Sequence, residues 1–174
     1  MNATENTIIY RLGTRSGVRI DARAVKPEDA KLLEDFFDKV SDADRRFRFL
    51  TPYRHVGAEQ IAPLVEVDHI RVESFLAFDC ETDDLISTGM LACDSNMNSA
   101  EVAISVRSDY KGKGVGWAML DLLASEARKR GVKEVIAIED RENHEAIALE
   151  REKGFQPRAL EGDPRLVVLA KSFD

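Results

Sequence analysis

The chain has 174 residues, a formal net charge of −7 and 44% hydrophobic residues. Its length suits a single domain, and its apolar content is high enough to exclude disorder of the whole chain. The acidic balance argues against a general nucleic-acid or anionic-membrane binder, which would need a surplus of Lys and Arg.

The N-terminal segment contains no predicted targeting signal. Met1–Asn6 lacks the basic-then-apolar order of a signal peptide, and no apolar run in the sequence approaches the roughly 20 residues that cross a bilayer. We therefore expect a cytoplasmic protein. Gly13–Gly17 is rich in turn-forming residues and predicts a hairpin. Residues 1–17 are accordingly interpreted as an N-terminal extension and hairpin, and residues 18–174 as the main domain.

One strand and three helices are predicted next. Val18–Val25 alternates apolar with polar residues, which is typical of a half-buried strand. Pro27 and the acidic residues after it predict the start of a helix, whose apolar spacing continues to about Val40. Ser41 is a candidate N-cap for a short second helix. A third helix is expected over about Ala58–Glu66.

The second of these helices interleaves basic and aromatic residues from Arg45 to Leu50. Such interleaving marks some nucleic-acid-binding surfaces. Because the chain as a whole is acidic, we instead interpret Phe47 and Phe49 as core residues and the arginines as salt-bridge partners.

The rest of the chain predicts an antiparallel meander followed by alternating helices and strands. A long amphipathic helix runs from Gly114 to Arg130 and is ended by Gly131. The order of elements predicts an α+β fold, with one domain built on a mixed, mostly antiparallel sheet flanked by helices. The other predicted elements are strands at Glu73–Asp79, Leu85–Cys93, Glu101–Val106, Val135–Ile138, Phe155–Ala159 and Leu166–Phe173, and a helix over about Asn143–Lys153.

The most informative segment is Lys111–Trp117, a Gly-rich turn between a strand and the long helix. Glycines let the backbone approach an anion closely, and the free N–H groups of a first helical turn point at it. Lys111 and Lys113 add local positive charge. A Walker A loop is absent, and the glycines do not follow the first strand of a parallel βαβ unit, as a Rossmann fingerprint requires. The segment therefore predicts a phosphate-binding turn of another kind.

Two segments together resemble the GNAT superfamily of N-acetyltransferases. Lys111–Gly116 is similar to its pyrophosphate-binding signature, in which Gln or Arg is followed by two variable residues, Gly, a variable residue and Gly or Ala; here Lys111 stands first. Glu142–Leu149 and Lys153–Phe155 resemble its second cofactor segment. The resemblance implies a GNAT-like fold for residues 18–174, with acetyl-CoA as co-substrate, and no metal is expected.

The resemblance also implies which residues hold the cofactor. The backbone of the strand before the turn is expected to pair with pantetheine like an added strand, and one N–H to polarise the thioester carbonyl. Asn143 is expected to help hold the pantetheine arm, although it also fits a simple helix N-cap. The implied cofactor-binding residues are Ile104, Ser105, Val106, Lys111, Gly112, Lys113, Gly114, Val115, Gly116, Trp117 and Asn143.

A closer resemblance is to the GNAT domain of bacterial protein lysine acetyltransferases that modify acyl-CoA synthetases. Arg23–Asp29, Arg45–Pro52 and Val67–His69 are the segments that carry it. It implies transfer of an acetyl group to a protein lysine ε-amine. Acetylation of a small amine or a protein N-terminus, and a non-catalytic acyl-CoA sensor, stay open, as does formation of a homodimer.

The resemblance places Glu101 on the glutamate that acts as general base in lysine acetyltransferases. Neutralising a lysine amine of ordinary pKa 10.4 at pH 7 costs about 4.6 kcal/mol, and a carboxylate beside it accepts the proton. Without the resemblance, Glu101 fits an exposed acid at a strand end. Glu150 stands where many GNAT enzymes carry a Tyr that protonates the leaving thiolate.

Neither the cysteines nor the histidines have the spacing of a metal site. Cys80 and Cys93 have no CxxC neighbour, so no disulfide framework or zinc site is expected. Direct attack of the amine is favoured over covalent transfer through either cysteine, because neither has an adjacent His or base in the sequence.

Overall fold

Eight β-strands form one mixed sheet in the computed structural model, which describes residues 7–173. The segment Met1–Asn6, where no targeting signal is predicted, lies outside the described residues. The strands are β1 (Tyr10–Gly13), β2 (Arg19–Ala24), β3 (Val72–Asp79), β4 (Leu85–Cys93), β5 (Ser99–Val106), β6 (Glu134–Asp140), β7 (Gln156–Ala159) and β8 (Leu166–Ser172). Their order across the sheet is β1-β2-β3-β4-β5-β6-β8-β7, with β5 and β6 parallel and the other neighbours antiparallel. The predicted α+β fold with a mixed, mostly antiparallel sheet is confirmed.

Five α-helices flank this sheet in the described part of the chain, and none of them is long and apolar enough to span a membrane. One buried cluster joins α4 to the sheet through Met119, Leu123 and Phe75, and a second joins α1 and α3 to Leu76 on the opposite face. The helices are α1 (Ala30–Phe37), α2 (Asp42–Phe49), α3 (Ala58–Val65), α4 (Val115–Lys129) and α5 (His144–Glu152).

The helix ends follow the local sequence signals, with one difference. Ser41 Oγ accepts a hydrogen bond from the Asp44 N–H at 3.1 Å and caps α2 as predicted. Gly131 follows α4 with a φ of +80°, a conformation that favours glycine. The first helix ends at Phe37 and not near Val40, because the Val40 N–H donates to the Phe37 carbonyl at 3.2 Å in a tighter turn.

The predicted hairpin joins β1 to the sheet. The Thr14 N–H donates to the Val18 carbonyl at 3.1 Å across the turn. Tyr10 packs edge-on against Phe75, with ring centroids 5.6 Å apart. The strand is therefore part of the common sheet, and the boundary between an extension (1–17) and the main domain (18–174) stays a prediction.

β5 and β6 separate after three residue pairs, which end with Glu101 beside Ile136. β5 then continues to Val106 along β4, and β6 continues to Asp140 along β8. We call this opening the β5–β6 fork; it lies between residues 102–106 and 137–140. The backbone N–H and C=O groups of alternate residues in β5 form hydrogen bonds with β4. The N–H and C=O groups of the other residues in 102–106 therefore point into the fork. The fork thus offers an open strand edge to a ligand.

Candidate active site

A cavity of about 520 Å³ opens at the β5–β6 fork. Its volume is in the range typical of small-molecule sites. The walls are formed by the two strands of the fork, α2, the start of α4 and α5. The cavity brings together nearly all the residues implied by the family resemblance: Glu101, Ile104, Ser105, Val106, Lys111, Gly112, Gly114, Val115, Gly116, Trp117 and Asn143.

The Gly-rich turn presents the first turn of α4 to one end of the cavity. Gly112 and Gly114 have φ values of +73° and +82°, which favour glycine. The first backbone bond of the helix runs from the Ala118 N–H to the Gly114 carbonyl at 3.1 Å. The N–H groups of the three cavity-lining residues between them, Val115–Trp117, therefore have no partner within the helix and are placed to bind an anion.

Lys111 lines the cavity, whereas Lys113 does not. Lys111 Nζ lies 2.9 Å from Asp44 Oδ2 on α2 and 3.2 Å from Glu145 Oε2 on α5. Burial opposes the charged form, but these two carboxylates outweigh it and raise the pKa of Lys111. The Lys113 ammonium instead lies 5.0 Å from the centre of the Tyr110 ring. Of the two lysines predicted to add positive charge at the Gly-rich turn, Lys111 thus lies at the cavity and Lys113 does not.

Glu101 lies where β5 and β6 part, as the last paired residue of β5 at the fork. Its side chain is exposed and lines the cavity. Farther along β5, Ser105 Oγ is buried without a hydrogen-bond partner among the described residues, and the Ser105 carbonyl accepts from Ser87 Oγ at 2.8 Å. β5 therefore brings a solvent-accessible carboxylate and a hydroxyl without a partner in the described part of the chain to the same cavity.

Asn143 caps the N-terminus of α5, as one of its two predicted roles requires, and its side chain also contacts the cavity wall. Its Oδ1 accepts from the Ala146 N–H at 3.4 Å at the start of α5. Its Nδ2 donates to Glu139 Oε2 at 3.3 Å. The amide thus links α5 to β6, and its cofactor-binding role stays a prediction.

A pair of carboxyl groups, Glu139 on β6 and Glu150 on α5, forms part of the same wall. Each carboxyl group affects the ionisation of the other, and Glu150 is only 4% exposed. Burial first, and then the charge of Glu139, raise the pKa of Glu150 to about 10. Burial also raises the pKa of Glu139. The pair therefore holds at least one proton at neutral pH, since two adjacent buried carboxylates repel each other.

The basic-aromatic segment contributes to the cavity, which corrects its interpretation as purely structural. Phe49 does pack into the core, with its ring 5.2 Å from that of Phe37. Phe47 and Arg48, however, line the cavity. Burial lowers the pKa of Arg48, while the charges of Glu101 and Glu139 act in the opposite direction. Asp44, Phe47 and Arg48 share one helix face by their i, i+3 and i+4 spacing, and this spacing is visible in the sequence.

The site fits the phosphate and pantetheine groups of acetyl-CoA and shows no sign of a metal centre. An extended polar chain suits the open edge of β5, and a pyrophosphate suits the free N–H groups of α4. Among residues 7–173, no group of three or more His, Cys, Asp or Glu side chains is placed to hold a metal ion.

The model of the Acetyltransferase (GNAT) family matches residues 34–155, more than half of the chain. The protein therefore belongs to the GNAT acetyltransferase family, whose reaction is acetyl transfer from acetyl-CoA. This match includes the fork, the Gly-rich turn and the carboxyl pair.

Known proteins similar to the chain are also acetyltransferases or share their fold. The chain is 24% identical over 129 residues to Acetyltransferase PA5475 of Pseudomonas aeruginosa, covering 73% of this chain and 69% of that protein. Its fold is similar to the GNAT domain of S. lividans PAT, with a TM-score of 0.85, 23% identity, and 99% and 100% of the two chains covered. It is also similar to yncA of Salmonella typhimurium with its cofactor acetyl-CoA, with a TM-score of 0.70, 15% identity, and 89% and 94% covered.

Proposed function

We propose that the protein transfers the acetyl group of acetyl-CoA to the ε-amine of a protein lysine, by direct attack of the amine, in the cytoplasm. The observation that carries this proposal is the position of Glu101 at the fork, beside the open edge of β5. A base at this place adjoins the strand that is expected to hold the thioester. The carboxylate accepts a proton from the attacking amine directly or through water.

Binding of the co-substrate rests on the turn and the strand edge. The N–H groups of Val115–Trp117 receive the pyrophosphate at the positive end of α4. Backbone groups of Ile104–Val106 bond the pantetheine arm as a strand would, which leaves the acetyl group near Glu101. Lys111 adds a cation to the phosphate end, and Asn143 stands across the fork on the α5 side.

The charge of the cavity supports a cationic acceptor. Among the described residues, its lining includes five acidic side chains against two basic ones, and because Glu150 is neutral at pH 7, at most four of the acids are ionised. A lysine amine is protonated in solution, so an acidic cavity attracts it before the base removes its proton. The acidic side chains are Asp44, Glu101, Glu139, Glu145 and Glu150, and the basic side chains are Arg48 and Lys111.

Covalent transfer through a cysteine is the less favoured route. Neither Cys80 nor Cys93 lines the cavity. Partial desolvation raises the pKa of both thiols, which lowers the thiolate fraction that a nucleophile needs. Direct attack by the amine needs neither residue.

A small cationic amine or a protein N-terminus is the second candidate acceptor, because the same acidic cavity suits it. The experiment uses two peptides that differ only in their reactive amine, one with a single lysine and a blocked N-terminus, the other with arginine in its place and a free N-terminus. We expect mass spectrometry to show acetylation of the first and release of one coenzyme A per acetyl group. Acetylation of the second alone would replace the lysine assignment, and acetyl-CoA binding without transfer to any amine would indicate a sensor.

A further inference from the structure

Arg48 on α2 lines the cavity but forms no ion pair with any carboxylate among the described residues. The other cation of the cavity lining, Lys111, is held by two carboxylates, and Arg45 and Arg46 on the same helix are also ion-paired. In the described part of the chain, the one hydrogen bond of the Arg48 guanidinium runs from Nη2 to Met90 Sδ at 3.7 Å. A thioether is a weak acceptor and a guanidinium has five N–H donors, so most of these donors stay available to a ligand.

The guanidinium lies on the same face of the sheet as the Glu101 side chain. Met90 is paired with Ala103 across β4 and β5, and together with Arg48 these two residues line a second, smaller cavity. Side chains two residues apart on a strand point to the same face, so Glu101, Ala103 and Ser105 share one face of β5. Ser105 Oγ is buried there without a partner among the described residues. Arg48 therefore lies beside the middle one of three β5 positions, and the residues on both sides of it, Glu101 and Ser105, line the main cavity.

A guanidinium in this place needs an anionic partner. The Arg48 side chain is half-buried, and burial lowers its pKa. The charges of Glu101 and Glu139 act in the opposite direction, but neither of these carboxylates forms an ion pair with it among the described residues. Taking a cation out of water without a paired anion costs stability. The place of Arg48 on the cavity wall therefore indicates an anion that arrives with a ligand.

This anion belongs to the acceptor and not to the pyrophosphate of acetyl-CoA. The helix proposed to receive the phosphates, α4, packs in the buried cluster that contains Val102. Val102 points to the opposite face of β5 from Ala103, beside which Arg48 lies. Glu101, the proposed base, is on the same face as Ala103, so the acceptor amine approaches from the side of Arg48. The planar fork of a guanidinium forms two parallel hydrogen bonds with a carboxylate, which makes a carboxylate the anion that suits it best.

We propose that Arg48 forms a carboxylate-binding subsite for the acceptor, so that the preferred acceptor carries a carboxylate close to the amine that is acetylated. This proposal rests on the acetyl transfer to an amine proposed above and names the class of amine. In a protein acceptor, the carboxylate is an Asp or Glu side chain near the target lysine. In a small acceptor, it is the carboxylate of an amino acid.

Both charges of such an acceptor have a counterpart in the cavity. Its ammonium group meets the Glu101 carboxylate before the proton is removed, and its carboxylate meets the Arg48 guanidinium. Glu101 and Ala103 are about 6.6 Å apart along β5, since a strand rises about 3.3 Å per residue. The two groups of the acceptor should therefore be farther apart than the amine and the carboxylate of an α-amino acid.

The first experiment needs only the wild-type protein and pairs of acceptors that differ by one carboxylate. The small acceptors are ω-amino acids of increasing chain length and their carboxamides, and the peptides have blocked termini and carry Glu or Gln beside a single lysine. We expect the carboxylate to raise kcat/KM by about tenfold or more at the best spacing, because hydrogen bonds between charged groups are the stronger ones. A preference confined to the peptides would indicate a protein acceptor, and one confined to the ω-amino acids a small acceptor. Equal or better activity with the carboxamide in every pair would overturn the proposal.

Three variants then assign the preference to Arg48. Arg48→Met should abolish it and leave the acetyl-CoA Kd unchanged, and Arg48→Lys, which keeps the charge and loses the planar fork, should keep part of it. Arg46→Met is the matched control, because Arg46 lies on the same helix, pairs with Glu142 at 3.5 Å and is not part of the cavity lining. The ratio of carboxylate to carboxamide activity is compared between proteins, so any difference in amine pKa within a pair cancels. A ratio that Arg48→Met leaves unchanged, or an equal loss with both acceptors of each pair, would overturn the proposal.

Equilibrium binding separates this proposal from the proposed reaction. Calorimetry on the protein saturated with coenzyme A measures its affinity for each carboxylate and carboxamide without turnover. Tighter binding of the carboxylate that is lost in Arg48→Met would support the subsite even where no lysine peptide is acetylated, and only the proposed reaction would then fail. Equal affinities for the two members of every pair would overturn the subsite even where lysine peptides are acetylated.

Discussion

Glu101 is the residue whose proposed role follows most directly from its place at the fork. Replacing it with Gln conserves shape and removes the ability to accept a proton. We expect Glu101→Gln to keep its acetyl-CoA affinity and to lose about 10²-fold in turnover near pH 7, with the deficit shrinking at higher pH as free amine becomes abundant. The measurement is a pH–rate profile of both proteins on one lysine peptide.

Glu152→Gln, which removes an exposed carboxylate outside the cavity, controls for the loss of charge alone. If Glu101 instead anchors a cationic acceptor, the effect should appear as a raised KM with kcat nearly intact. Identical profiles for wild type and Glu101→Gln would remove this residue from the mechanism.

We expect the ionisation of Glu150 to make the folded protein less stable as the pH rises. Its pKa is higher in the folded protein than in the unfolded chain, so the folded state binds more protons and loses stability as the pH rises between the two values. The unfolding free energy of Glu150→Gln relative to wild type should therefore increase with pH, by up to about 1.4 kcal/mol per unit. Urea unfolding of both proteins at several pH values from about 6 to 9 measures this slope.

Comparing the two proteins isolates the Glu150 contribution. Burial opposes ionisation of Asp29 and Glu126, but their hydrogen bonds to cationic partners outweigh it and lower both pKa values, so the stability they provide is lost at acidic pH, and both remain in the variant. A constant difference between variant and wild type across the range would mean that Glu150 is ionised in the folded protein.

At the level of elements, Lys111 joins α2 to α5 through Asp44 and Glu145. These carboxylates lie at the end of the cavity that is proposed to receive a pyrophosphate, so they compete with it for the lysine. We expect Glu145→Gln to lower the acetyl-CoA Kd several-fold, because an anion that repels the ligand is removed. Calorimetry at low and high salt is the measurement, and the gain should be larger at low salt.

Two further variants test whether the change in acetyl-CoA affinity is specific to the charge of Glu145. Lys111→Gln should weaken binding, and Glu152→Gln on the same helix should leave it unchanged. Weaker binding by Glu145→Gln would show that Glu145 positions Lys111 for the ligand and does not compete with it.

The elements also show how far the sequence can predict this site. The Gly-rich turn, the long helix after it and the Ser41 cap depend on local geometry, so residue type and spacing predict them. The salt-bridge role predicted for Arg48 follows from its charge alone and does not include the helix face that it shares with Phe47. The mutual influence of Glu139 and Glu150 depends on how α5 packs on β6, and no local pattern contains that information.

At the level of the whole molecule, acetyl-CoA should stabilise the fold, because the ligand site exists only in the folded protein. Mass action gives about 2.7 kcal/mol at a free concentration of about 100 times the Kd. Gly112→Asp and Gly112→Asn form a matched pair, since no heavy atom beyond the neighbouring residues lies within 4 Å of an added Cβ, and both side chains meet the same backbone strain at a φ of +73°. The two variants differ only in charge, and thermal melts with and without acetyl-CoA compare them.

The aspartate should reduce the ligand-induced shift in Tm far more than the asparagine does, since it repels a pyrophosphate. Equal shifts for the two variants would place the phosphate groups away from this turn.

The open edge of β5 also bears on self-association. Unpaired strand edges are templates for aggregation, and natural sheets protect them. At the outer edges of this sheet, β7 carries Pro157 and Arg158, and β1 is only four residues long with an exposed Arg11. The edge of β5 beyond Glu101 has no such protection of its own and is instead recessed between β6 and the flanking helices. A slender extended group can enter there, whereas the strand of a neighbouring molecule, with its bulky side chains, is kept out.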